Sequence, residues 1–274
     1  MKIKRSVAIP WHIIFIITII ILLYPIVFAL GSSFKTLEDA YNNVLNIVPL
    51  NPTFENYITF FNSLPALKIT MNTFIIASVA TIFKLITSFL AAYAFVFLQF
   101  KGKNILYFML ISTIFIPFTV TMIPNYLIIS GIGLVNSVWG VILPQLANAL
   151  GIFLMRQSMK TIPISLIEAA KLDHIGHARI MKDIVLPLVR PTVTSTGIWF
   201  FITTWNEYVW PVLILKSKEN YTLPLALQMY ISSEGGTNFT VAMAVSVITM
   251  IIPLTLYLIF QKYIIGTFTS SGIK

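Results

Sequence analysis

Polar and apolar positions are not interleaved along this chain; they fall in blocks. No Lys, Arg, Asp or Glu occurs between Arg5 and Lys35, or between Lys103 and Arg156. An apolar run of about 20 residues is long enough to cross a bilayer as a helix. Backbone exposed to lipid must also satisfy its own hydrogen bonds, which a helix does. Six spans follow, at about 9–30, 70–98, 104–124, 137–156, 191–214 and 239–261. The uncharged region 104–155 holds two of them, with Ser130-Gly131-Ile132-Gly133 and Asn136-Ser137 as the turn. The expected fold class is an all-α membrane protein with six transmembrane helices.

Composition agrees with that pattern. Of the 274 residues, 57% are hydrophobic and 10% charged, which excludes an ordinary soluble domain. The placement of Lys and Arg then orients the spans. With the N-terminus in the cytoplasm, six spans return the C-terminus there. Thirteen of the 18 basic residues fall inside, among them Lys101, Lys103, Arg156, Lys160, Lys171, Arg179, Lys182 and Arg190. Only Lys35, Lys68, Lys216 and Lys218 fall outside, and Lys84 lies within a span. The net charge of +9 therefore needs no nucleic-acid partner. Residues 2–5 and the apolar run after them resemble a secretory signal, but the run exceeds the 7–15 residues of a signal's apolar region, so a retained first span is expected. With no cysteine, the chain has no disulfide, thiol nucleophile or Cys-based metal site.

Two polar segments interrupt the spans. Residues 31–68 form the longest outer segment, expected to fold as a short hairpin or helix. Residues 157–190 are the largest inward one, and carry EAAKLDHIGHARIMKDIVLP over Glu168 to Pro187. Pro163 followed by Ser165 reads as a helix start, with Ser165 as N-cap and Glu168 closing a capping box. A second short helix after Asp173 runs through Ala178, Ile180 and Met181 toward Leu186. Pro187 and Pro191 mark the start of the fifth span. Two short helices at a sharp corner make a compact knob suited to docking in a groove. His174 and His177 beside Asp173 lack a fourth ligand, so no metal site is expected.

The spacing of Glu168, Ala169, Ala170, Asp173, Ile184, Leu186 and Pro187 resembles the cytoplasmic EAA loop of ABC importer permeases. The resemblance extends over most of the chain, to the type I permease fold of the carbohydrate-uptake (maltose and glycerol-phosphate) subfamily. It implies a division into 1–68, an N-terminal transmembrane helix plus an extracytoplasmic segment; 69–265, the transmembrane core containing the loop; and 266–274, a cytoplasmic tail resembling the family's ending. It implies that the knob fits a cleft on an ATP-hydrolysing subunit, with Glu168 offered to that partner and Ala169 and Ala170 allowing close approach. The implied partners are a second, homologous permease, two ATPase subunits that bind ATP and Mg, and an extracytoplasmic substrate-binding protein. That last partner would meet the outer segment 215–238, which includes Gln228, Tyr230 and Gly235-Gly236. This chain would bind no cofactor itself and would lie in the cytoplasmic membrane. One departure stands out: the family's Gly after the Asp is His174 here, with Gly176 two positions on, so the left-handed corner falls on one or the other.

The fifth span carries Thr203-Thr204-Trp205-Asn206-Glu207-Tyr208-Val209-Trp210-Pro211, which resembles the WNxYxWP signature of the same subfamily. Aromatic faces stack on sugar rings, while amides and carboxylates exchange hydrogen bonds with hydroxyls. Trp205, Asn206, Glu207, Tyr208 and Trp210 are therefore candidate pathway residues, the aromatics also suiting an outer interfacial belt. At roughly 1.5 Å per residue, Lys84 and Glu207 lie about 21 and 24 Å from the inner ends of their spans. An ion pair between them is one reading; contacts of Lys84 with the second permease or with an anionic substrate are others. Gln145 and Asn148, behind Pro144, are further candidates, with helix packing as their alternative.

A secondary transporter using Lys84 and Glu207 as a coupling pair would not need the EAA spacing. A membrane enzyme is poorly served by three His, no Cys, and neither an HExxH nor a Gly-rich phosphate loop. The sequence thus reads as the permease subunit of an importer for a carbohydrate or a sugar or polyol phosphate, working by alternating access. It does not choose between those substrates.

Overall fold

The computed structural model describes the backbone of residues 5–231 and 238–270, and the side chains of 9–231 and 238–261. Gly235-Gly236 and the side chains of the 266–274 tail lie outside the described residues. The described residues form helices and turns, with no strand among them. In chain order the helices are α1 (Arg5–Ser32), α2 (Leu37–Asn42), α3 (Glu55–Ser63), α4 (Ala66–Phe97), α5 (Lys103–Ser112), α6 (Phe118–Gly131) and α7 (Val138–Ile142). They continue with α8 (Ala149–Met159), α9 (Ile164–Leu172), α10 (His177–Ile180), α11 (Leu186–Trp205), α12 (Val209–Ile214), α13 (Leu223–Ile231) and α14 (Phe239–Ser270).

Four continuous stretches are long and apolar enough to cross a membrane: Ile9–Ser32, Ala66–Phe97, His177–Trp205 and Phe239–Gln261. Two bent helix pairs are apolar enough as well, and counting each pair as one span gives the expected six. Lys103–Phe115 and Phe118–Gly131 meet at 101°, and Val138–Gln145 and Ala149–Met159 at 44°. The spans expected at 104–124 and 137–156 are each broken by a bend. Pro117 disfavours helical backbone at Ile116, which is extended. In the second pair Pro144 tightens the turn Leu143–Gln145, and Asn148 is extended so that its Oδ1 caps α8 at the Gly151 amide, 2.9 Å away. The fifth span also differs from 191–214. The helical path starts at His177, passes through a π-turn at Met181–Val185, and stops at Trp205. The turn between spans three and four lies where expected: Gly133 and Asn136 both take positive φ, and Ser137 caps α7.

The chain divides into two compact units, Met1–Leu67 with Leu223–Ile252, and Lys68–Thr222 with Pro253–Lys274. In the first, the outer segment is a knitted fold. Buried Asn56 donates to the carbonyls of Ser33 and Lys35, both at 2.8 Å, and accepts from Thr240. Asp39 accepts from Asn43 Nδ2 and from the Leu50 amide. Satisfying each buried polar group in this way removes a desolvation cost of about 1–3 kcal/mol per group. In the second unit α8 lies very close to its neighbours: a Cβ at Gly151 would collide with the Phe200 ring and Ser88 Oγ.

Candidate coupling surface and membrane cavity

The knob is built as two helices and a corner. α9 begins directly after Pro163, and the Leu166 amide donates to the Pro163 carbonyl at 3.1 Å, closing the first turn. Ser165 lies inside that turn and makes no cap bond, so the capping box with Glu168 is not formed. At the far end the Ile175 amide reaches Ala170 O and the His174 amide reaches Lys171 O, each at 3.0 Å. That paired bonding terminates a helix with a left-handed residue. The residue is His174, at φ 57°, while Gly176 is extended at −68° and precedes α10. His174 therefore makes the corner that glycine makes in the resembling family.

One face of the knob is anchored and the other is free. Ile167, Ala170, Ile180, Val185 and Val189 are buried with Ala92, Tyr93 and Phe97 of α4 and Met155 and Met159 of α8. Ile184 packs against this cluster. Fully burying one such aliphatic side chain contributes roughly 1.5–3 kcal/mol, so the knob moves with the helices beneath it. Tyr93 adds a polar tie, its hydroxyl 2.7 Å from His177 Nδ1. Glu168, Ala169, Asp173, His174, Gly176, Leu186 and Pro187 are exposed, and Leu172 projects at 81% exposure. The expected pair of approach-permitting alanines is thus reduced to one, because Ala170 faces inward at 5% exposure.

Deeper in the same unit, Lys84, Gln145, Asn148, Glu207 and Trp210 line one cavity of about 250 Å³, together with Phe118, Thr121 and Asn125. A second cavity of about 550 Å³ shares Phe118, Thr121, Ala147 and Asn148 with it. Lys84 and Glu207 come to the same cavity without forming an ion pair within 4 Å. The Lys84 ammonium donates to Thr204 Oγ1 at 2.9 Å and to Gln145 Oε1 at 3.1 Å, and stands 5.7 Å from the Phe200 ring centre. Glu207 instead caps α12: its Oε1 accepts from the Val209 amide at 3.1 Å and the Trp210 amide at 3.3 Å. A carboxylate is favoured at a helix N-terminus by both the free amides and the dipole.

The helix break after Trp205 explains which signature residues reach the cavity. Trp205 is fully buried and stacks on Phe201. Asn206 is exposed and returns its amide to Ile202 O, and Tyr208 is half-buried outside the cavity lining. Trp210 turns inward, donating Nε1 to Gly140 O at 3.2 Å and meeting Phe118 edge to face. Sequence reasoning did not single out Thr204, Asn125, Thr121 or Tyr93. Thr204, beside Trp205, carried a signal as a small polar residue in an apolar span; Tyr93, one aromatic among many, carried none.

Residues 84–266 match the family described as binding-protein-dependent transport system inner membrane component. The sn-glycerol-3-phosphate transport system permease protein UgpE of Yersinia pestis bv. Antiqua is 29% identical over 269 residues, covering 96% of each chain. The protein of that name from Rhizobium meliloti is 29% identical over 262 residues, 93% of each. Among solved structures, a chain of a bacterial ABC transporter involved in the import of the acidic polysaccharide alginate superposes with a TM-score of 0.83 at 23% identity, covering 96% of this chain and 99% of that one. A second alginate transporter chain, from a complex with an alginate pentasaccharide-bound periplasmic protein, gives 0.67 at 15% identity. The family match spans most of the chain, and with it the bent spans, the anchored knob and the polar cavity find their setting: this chain belongs to the inner-membrane components of binding-protein-dependent transport systems, the permease subunits of ABC importers.

Proposed function

We propose that this permease carries a carbohydrate, or a sugar or polyol phosphate, across the cytoplasmic membrane, with ATP and Mg bound by two separate ATPase subunits. It works beside a second permease and receives substrate from an extracytoplasmic binding protein. Both termini lie in the cytoplasm, which places the knob there too. The observation that carries this reading is the two-faced knob. Its apolar face is locked to α4, α8 and α11, and its other face offers Glu168, Ala169 and Leu172 to solvent. A cleft closing on that outer face on ATP binding would pull the anchored helices with it and reverse on hydrolysis. The substrate class follows relatives named for glycerol 3-phosphate and for alginate.

The test is purification of the tagged chain from its native membrane, followed by substrate-stimulated ATPase assays on what is recovered. The expected recovery is a second permease and two ATPase copies. Glu168→Ala and Ala169→Asp are expected to cut stimulated hydrolysis and uptake at least tenfold at normal protein level. Normal uptake in both variants would sink the coupling role.

A further inference from the structure

Lys84 is an expensive residue to keep where it is. At 7% exposure it lies in the middle of α4, about 20 Å from that helix's end at roughly 1.5 Å per residue. Ionisable groups at such depth face the bundle interior and mark pathways. A lysine ammonium has three protons to donate. Two are taken by neutral acceptors, Gln145 Oε1 and Thr204 Oγ1, and neither carries a compensating charge. The third has no acceptor among the described residues, and the side chain lines the cavity. Opposite in sign but in the same lining, Glu207 spends Oε1 on two backbone amides of α12 and keeps Oε2 unbonded. Among the described residues no other charged side chain lines this cavity.

From this arrangement we infer that Lys84 is a specificity-determining residue, one that recognises an anionic group of the transported substrate while Glu207 Oε2 accepts from its hydroxyls. This inference rests on the importer reading and narrows its substrate class to acidic polyhydroxy compounds. Two sources share that chemistry: a phosphate ester of a polyol, and the carboxylate of a uronic acid. Repulsion by Glu207 is blunted because its charge is already shared with two amides at a helix start. Gln145 occupies one ammonium proton in this state and acts as a placeholder. When the anion arrives, the ammonium exchanges a neutral acceptor for a charged one, which gives a stronger bond. A neutral sugar hydroxyl offers the ammonium no stronger bond than Gln145 already gives, so the site favours the anionic ligand. A neutral sugar would leave Lys84 on Gln145. Gln145 lies in the turn between α7 and α8, so the exchange also loosens one tie between that turn and α4.

The experiment uses the assembled transporter in vesicles with its own binding protein. ATP-driven uptake of glycerol 3-phosphate, an alginate oligosaccharide and maltose is compared in the wild type. The expected result is uptake of one of the two acidic probes and not of maltose; which one is taken separates phosphate from carboxylate. Lys84→Gln should raise the apparent KM for that probe at least tenfold with a smaller effect on maximal rate, and Lys84→Arg should restore part of it. Gln145→Leu should lower KM, because the ammonium then has one neutral acceptor fewer to give up. Gln145→Glu, which gives the ammonium a resident counter-ion, should raise it. If Lys84→Gln fails to assemble, the opposed effects of the two Gln145 variants still decide the matter, since a purely structural bond would be weakened by Leu and strengthened by Glu. Wild-type uptake of maltose alone, or an unchanged KM in Lys84→Gln, would overturn the assignment while leaving the importer reading standing. Absence of ATP-driven uptake of any probe by a complete complex would instead remove the reading on which it rests.

Discussion

His174 shows how a single backbone angle carries information about the knob. A non-glycine residue at φ near 57° bears a steric cost of about 1–2 kcal/mol between its Cβ and the following carbonyl. His and Asn tolerate that region better than branched residues do. His174→Gly is therefore expected to leave coupled ATPase activity within about twofold of wild type, the relieved strain being offset by the greater freedom of unfolded glycine. His174→Val places a β-branched residue at the same angle and should distort the corner between α9 and α10. Substrate-stimulated ATPase activity of the purified complex, read against basal hydrolysis, checks both. Equal loss in the Gly and Val variants would mean that the imidazole itself, not the corner, is what matters. The choice between His174 and Gly176 was open in the sequence, because one residue's φ depends on how the next helix is bonded at its start.

Of the three helices that anchor the knob, α4 adds a polar tie through Tyr93 to the apolar cluster around it. Removing the hydroxyl in Tyr93→Phe loses a bond worth about 0.5–1.5 kcal/mol while keeping the ring that packs on Phe97 and His177. The expected outcome is intact assembly with weaker transmission: basal ATPase unchanged, and stimulation by loaded binding protein reduced severalfold. Unchanged stimulation would assign the tie to packing alone. This link was invisible in the sequence, since Tyr93 is 84 residues from His177. The spans themselves were legible, because a bilayer demands apolar length and the charges mark the boundaries. Their bends were not: Pro117 and Pro144 announce a break, but a proline in the sequence does not give the 101° and 44° angles. Likewise, the helix break after Trp205 decided which side chains of the Trp205–Trp210 segment reached the cavity. Depth arithmetic brought Lys84 and Glu207 to one level; competing hydrogen bonds at Gln145, Thr204 and α12 kept them from pairing.

The proposed orientation of the whole molecule rests on the distribution of Lys and Arg, and the chain offers a direct way to test it. Because it contains no cysteine, any introduced thiol is the only one in this subunit. Leu45, in the segment that follows α2, and Leu172, at the exposed end of α9, are each 81% exposed, so a thiol at either site reports on its compartment without needing local unfolding. With thirteen basic residues assigned inside and four outside, the positive-inside rule puts Leu172 in the cytoplasm and Leu45 beyond the membrane. In intact cells a membrane-impermeant maleimide should therefore label Leu45→Cys and spare Leu172→Cys, and permeabilisation should make the second site as reactive as the first. The recovered complex adds a further distinction. If the knob is seated in an ATPase subunit, Leu172→Cys should stay slow to label after permeabilisation until the ATPases are stripped away, whereas Leu45→Cys should not respond to their removal. Labelling of Leu172→Cys in sealed cells would invert the topology and leave the two-faced knob with no ATP-driven partner to engage.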